Sequence, residues 1–151
     1  MSQPYFEDVE PGDEIGPLIK QPSRAEVRTF AELSHLSGRF ISDEGARVEG
    51  TDRMIVSSWQ SMGYLAQLIT NWMGQEGLLS RFQVSFHRVV NPAELLECRG
   101  VVTDTLTLEG RHIVKLDTVM ENQRGERLLQ GTAEVVLPSR ARSQSSAGPS
   151  S

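Results

Sequence analysis

The side chains able to do chemistry are few in this sequence, and they are scattered. Three histidines, His35, His87 and His112, stand far apart, and Cys98 is the only cysteine. No His-x-x-x-His or Cys–His spacing occurs, so no metal centre is expected. One cysteine cannot form an internal disulfide, which fits a reducing, cytoplasmic setting. Asp43 and Glu44 are adjacent acids in a charged stretch without periodicity. Acid–base work by such a pair competes with the far commoner reading, solvated loop acids. Ser57 and Ser58 precede a long apolar segment. If that segment is a helix, its free N–H groups and dipole are placed to hold an oxygen that gains charge. Simple capping by the serines is the competing reading.

The elements that must position these residues follow from pattern. Ser23-x-x-Glu26 is a capping box, and Val27, Phe30, Ala31 and Leu33 give the helix after it an apolar face, with Gly38 as its stop. Residues 38–53 read as a loop or broken helix. From Met54 to Gln75 no residue is charged, and Trp59, Met62, Ala66, Ile69 and Met73 recur at steps of three and four. Leu65, Leu68 and Trp72 widen this stripe, so the helix is expected to be enclosed by other elements, with Gly74 as its stop. Its seven polar side chains argue against a membrane span. Beyond it, Phe82, Val84 and Phe86 alternate with polar residues, and Asn91-Pro92 turns the chain. Strands are expected over Leu95 to Thr103, Arg111 to Glu121 and Glu126 to Leu137, with a hairpin at Asn122–Gly125. Short links make these an antiparallel meander, and a sheet with one long buried helix is an α+β arrangement of the hot-dog type.

The 151 residues, 38% apolar and 23% charged, suit one globular domain. Residues 1–138 are assigned to it. Residues 139–151, made of Ser, Arg, Ala, Gln, Gly and Pro, are expected to be a disordered tail. A net charge of −5 argues against a nucleic-acid partner. The acidic, polar start of the chain has no apolar h-region, so no signal peptide is expected.

The order of motifs resembles the MaoC-like hydratase/dehydratase family. The opening Tyr5-Phe6-Glu7-Asp8-Val9 with Pro11-Gly12-Asp13 is similar to that family's start, as are Phe30-Ala31 leading to Ser37-Gly38 and the turn Asn91-Pro92-Ala93-Glu94-Leu95, where the family usually has Gly at the position of Ala93. Asn122, Gly125, Gly131 and Val135 to Pro138 resemble its closing hairpin, so the likeness covers Tyr5 to Pro138. In the family the Ser-Gly pair leads into Asp-x-Asn-Pro-x-His, an acid–base pair beside a thioester carbonyl. Here Arg39 stands at the Asp position, and no His lies between Arg39 and Ser57. A guanidinium cannot act as a base near neutral pH. The His-Gly that opens the family's central helix is Ser57-Ser58.

The resemblance therefore implies a hot-dog scaffold without its acid–base pair. Residues 40–46 look most like the non-catalytic subunits of heteromeric dehydratases. On that reading the chain shapes the acyl pocket, and a second MaoC-like subunit supplies Asp and His; a homodimer is the alternative assembly. Coenzyme A or an acyl carrier would enter as part of a thioester substrate, and no cofactor is expected. Catalytic groups are not expected in this chain, Asp43 and Glu44 being the only nearby acids. Arg39, Ser57, Ser58 and Trp59 are the candidate binding residues. Arg39 either pairs with Asp43 or faces a phosphate of coenzyme A, and Trp59 either joins the core or touches an acyl chain. Two further readings stay open: a hot-dog thioesterase, disfavoured because the central helix lacks Asp and Glu, and a module that binds an acyl thioester without turning it over.

Overall fold

The computed structural model describes residues 3–140. Five strands form one antiparallel sheet in the order β1-β3-β4-β5-β2. β3 (Leu96–Leu108), β4 (Arg111–Glu121) and β5 (Arg127–Val136) are the expected meander. β1 (Glu14–Lys20) and β2 (Leu78–Phe86) are the two edges. The strand after the central helix thus pairs with β5 rather than with its sequence neighbour β3. Its alternation showed a one-sided strand but carried no information about which strand it joins.

Alternation sorts the sheet into two faces. Leu96, Cys98, Val102, Val114, Leu116, Met120, Leu129, Ala133 and Val135 are buried on one, while Arg99, Lys115, Asp117, Gln130 and Thr132 are exposed on the other. The central helix α3 (Ser58–Met73) lies on the buried face. Leu65, Leu68 and Ile69 are almost wholly buried there. Each stabilises the fold by about 1.5–3 kcal/mol relative to exposure. Cys98 lies in this core, and burial pushes its thiol up to about 12, so it is an unreactive apolar filler.

The expected stripe on α3 is rotated from the observed one. Ser61, Leu65, Leu68 and Ile69 face the sheet, whereas Trp59 is 66% exposed and Met62 and Ala66 are half-buried. Nor is the helix enclosed all round: Ser58, Gly63, Thr70 and Asn71 are open to solvent. Gly74 does end it, at φ 73°. The first long helix, α1 (Arg24–Leu33), has both halves of its capping box and ends before Gly38, with His35 in the left-handed region. Residues 38–53 contain a 3₁₀ turn at Gly38–Phe40 and a short helix α2 (Asp43–Val48). The domain also runs past its expected end. The buried hydroxyl of Ser139 hydrogen-bonds the Glu7 carboxylate, and Arg140 pairs with Asp8. The rest of the expected tail, 141–151, lies outside the described residues.

Candidate ligand site at the start of the central helix

Ser57 does the work of an N-cap. Its Oγ accepts the Gln60 N–H at 3.1 Å, and its carbonyl accepts both the N–H and the hydroxyl of Ser61 at 3.1 Å. The serine hydroxyls predicted as ligand groups are thus divided. Ser57 is buried and spent on the helix, while Ser58 stays exposed. Helix geometry leaves the first N–H groups without intrahelical acceptors. Those of Ser58 and Trp59 find no other acceptor among the described residues.

A pocket of about 280 Å³ opens beside this turn, lined by Ser58 and Ser61 of α3, Ile55 and Val56 before it, Leu129 of β5 and residues 86–90. Its walls are mainly apolar, with His87 and Arg88 at the polar part of the lining. Val56 is fixed by an N–H bond to the Val90 carbonyl at 2.8 Å. Arg88 lies 3.4 Å from Glu126. Hydrogen bonding to Asn122 first, then to Arg124, holds the Glu126 carboxyl below its ordinary range. Glu94, 7% exposed, completes this network by accepting from Asn122 at 3.1 Å and from the Asn91 N–H at 2.8 Å.

His87, Arg88, Val89 and Val90 were not singled out as site residues from the sequence. They follow a one-sided strand, and nothing in their spacing announces that the chain leaves the sheet there to wall the helix start. The reverse holds for Trp59, which does not line the pocket and projects to solvent.

Arg39 and the two acids stand in the neighbouring segment. The Arg39 carbonyl accepts the N–H of Ile55 at 2.9 Å, which ties it to the pocket wall. Its guanidinium, however, lies 3.3 Å from Glu49 and not on Asp43, and its own N–H donates to the same Glu49 oxygen at 3.0 Å. Asp43 accepts the Met54 N–H at 2.9 Å and lies 3.1 Å from Arg24. The Met54 bond, then Arg24, holds its carboxyl below the usual range. Glu44 is exposed in the first turn of α2. The close turn here depends on glycine, because a Cβ on Gly45 would sit 2.3 Å from the Gly38 carbonyl oxygen. The segment is thus braced by hydrogen bonds and ion pairs, and its carboxylates are engaged or solvated. The arrangement can hold an oxygen at backbone N–H groups beside an apolar space.

A five-stranded antiparallel sheet with one long helix on its inner face defines a hot-dog domain. Solved structures with this architecture include a MaoC-like dehydratase from Rhodospirillum rubrum, 22% identical, with TM-score 0.79 over 90% of this chain and 97% of that one. Another is the (R)-hydratase of A. caviae involved in PHA biosynthesis, 25% identical, with TM-score 0.76 over 87% and 99% of the two chains. A third is the ChsH1–ChsH2 complex of Mycobacterium tuberculosis, 16% identical, with TM-score 0.73 over 85% and 98%. No family model and no curated protein matches the chain. The fold is that of the MaoC-like hot-dog domains.

Proposed function

We propose that this chain is the non-catalytic, pocket-forming subunit of a heteromeric enoyl-thioester hydratase acting on an acyl-CoA or acyl-carrier substrate. The observation that carries the reading is the fate of the acid–base position. Arg39 stands where the resemblance places Asp, and its guanidinium is tied to Glu49. Of the acids around it, Glu49 is held by Arg39 itself and Asp43 is committed to Met54 and Arg24. The helix start nevertheless keeps two N–H groups without an acceptor among the described residues, with a mainly apolar pocket beside the turn. Hydration needs a base for water and an acid at the α-carbon, and each such group supplies typically 10²–10⁴-fold. A partner must bring both.

Precedent for two MaoC-like subunits in one assembly comes from the ChsH1–ChsH2 complex and from the HadBC (3R)-hydroxyacyl-ACP dehydratase complex. The surface to receive such a partner is the free edge of β2, where Leu78 and Phe86 are about half exposed. An unpaired edge of this kind is a template for pairing with another strand. The test is reconstitution. Alone, the purified chain should show negligible hydration of enoyl-CoA; mixed with a subunit bearing Asp and His, it should raise turnover. Robust turnover by the chain alone, abolished by Asp43→Asn with Glu44→Gln, would overturn the reading.

A further inference from the structure

Arg88 lines the pocket at the start of α3 together with Ser58, and no carboxylate is among the lining residues. The cavity of about 430 Å³ on the outer face of the sheet differs: there Glu14 and Asp117 stand with Arg99 and Arg127, so both signs of charge are present. One nitrogen of the Arg88 guanidinium, Nη1, lies 3.4 Å from Glu126, while Nε and Nη2 have no acceptor among the described residues. Glu126 is itself fixed, accepting from Asn122 at 2.7 Å and from Arg124 Nε at 3.0 Å. Asn122 is buried and donates also to the buried Glu94. The hairpin between β4 and β5 thus holds one corner of the guanidinium and leaves the rest of its planar fork of donors open, the geometry that matches a carboxylate. Holding a long side chain in advance lowers the entropy that binding would otherwise cost.

Resting on the reading of this site as an acyl-thioester pocket, we infer that Arg88 is a specificity-determining residue that reads a carboxylate at the far end of a short acyl group, so that the substrate class is a dicarboxylic acyl thioester. A carrier's phosphates are the other anions such a ligand could offer. The size of the pocket favours the carboxylate: at about 280 Å³ it falls just below the roughly 300–1,000 Å³ of sites for drug-sized ligands. It has room for a short acyl group but not for the pantetheine arm that separates a carrier's phosphates from the thioester. With the thioester oxygen at the start of α3, an anion on the acyl side stays inside the space that Arg88 lines. A carboxylate there takes two parallel charge-assisted bonds from the guanidinium, whereas a methyl group offers it no acceptor.

The test compares two acyl groups of equal chain length, glutaryl and pentanoyl, each as the CoA and as the phosphate-free pantetheine thioester, by calorimetric titration of the full chain. The wild type should bind the glutaryl ligand at least roughly tenfold more tightly in both series. Arg88→Met, which keeps the apolar stem, should erase that ratio and leave the affinity for pentanoyl-pantetheine unchanged, which also shows that the variant folds with its pocket intact. Arg88→Lys, which keeps the charge but not the fork, should retain part of the ratio. Equal binding of the two acyl groups by the wild type, or an unchanged ratio in Arg88→Met, overturns the inference and leaves the pocket reading standing. So does an Arg88→Met variant that weakens both CoA ligands alike and neither pantetheine ligand, because Arg88 then reads the carrier's phosphate. Failure of the wild type to bind any of the four thioesters overturns both.

Discussion

The start of α3 and the segment 38–49 are neighbours, joined through the Ile55–Arg39 hydrogen bond, yet they serve opposite ends. At the helix start the polar groups left without a partner among the described residues belong to the backbone. Ser57 satisfies the third and fourth N–H groups of the turn and leaves those of Ser58 and Trp59 open. In segment 38–49 the polar groups are side chains, and apart from the exposed Glu44 they brace the loop. Arg39 holds Glu49, Asp43 holds Met54 and Arg24, and Ser42 caps α2. Binding provided by a helix terminus survives side-chain replacement, because every residue but proline carries an N–H. Acid–base chemistry does not survive it, because it resides in two particular side chains. A fold can therefore lose its reaction at one of these regions and keep its ligand at the other.

The largest expected effect tests the scaffold both regions share. Ile69 is fully buried between α3 and the sheet. Ile69→Asp should destabilise by several kcal/mol, from lost packing together with an unpaired buried charge. Chemical denaturation measures it; a midpoint close to wild type would show that α3 is not the centre of the core.

A sharper cut separates backbone from side chain at the helix start. Ser58 occupies the first helical position, where proline is well tolerated because that N–H has no helical acceptor, and Ser57 already has the extended backbone that precedes proline, φ −66° and ψ 153°. Ser58→Pro should therefore fold normally while deleting one of the two N–H groups. In the reconstituted enzyme it should cost roughly 10²–10³-fold in kcat, the usual loss for one oxyanion donor. Ser58→Ala, which keeps the N–H, should leave kcat nearly unchanged. If alanine cost as much as proline, the hydroxyl would be the working group and the contrast between the two regions would collapse.

What the sequence made legible follows the same division. The capping box of α1, the Ser57 cap, the stop at Gly74 and the β3–β4–β5 meander are local signals, and the structure has all of them. The rotation of the α3 stripe was misread because apolar residues cover more than one face. Trp59 and Met62 scan as core at helical spacing, while Ser61, small and bonded to its own helix, takes the buried place. The pocket walls at His87 to Val90 and the Arg24–Asp43 pair depend on where distant segments meet, which periodicity does not encode.

Acid exposes the bracing role of segment 38–49. Asp43 titrates below its unfolded value, so its contribution to stability is complete above about pH 4 and fades as pH falls through the depressed folded value. Asp43→Asn should lower the melting temperature at pH 7 and flatten its decline in acid. Parallel pH–stability curves for the two proteins would show that Asp43 braces nothing.

The smallest expected effect concerns the turn that leads from the pocket wall into β3. Ala93 sits at φ 66°, in the left-handed region, where a Cβ crowds the backbone. The turn is held regardless, by the Ala93 N–H on the Pro22 carbonyl at 2.7 Å and by Glu94, which accepts the Asn91 N–H. Glycine at this position removes the strain, on the order of 1–2 kcal/mol, but widens the freedom of the unfolded chain, which returns part of the gain. Ala93→Gly should thus stabilise by about 0.5–1 kcal/mol. Ligand affinity should stay constant, because Val90 is positioned by its own bond to Val56 and Arg88 by Glu126. A gain in stability accompanied by altered affinity would mean that the strained turn, rather than those two contacts, sets the shape of the pocket.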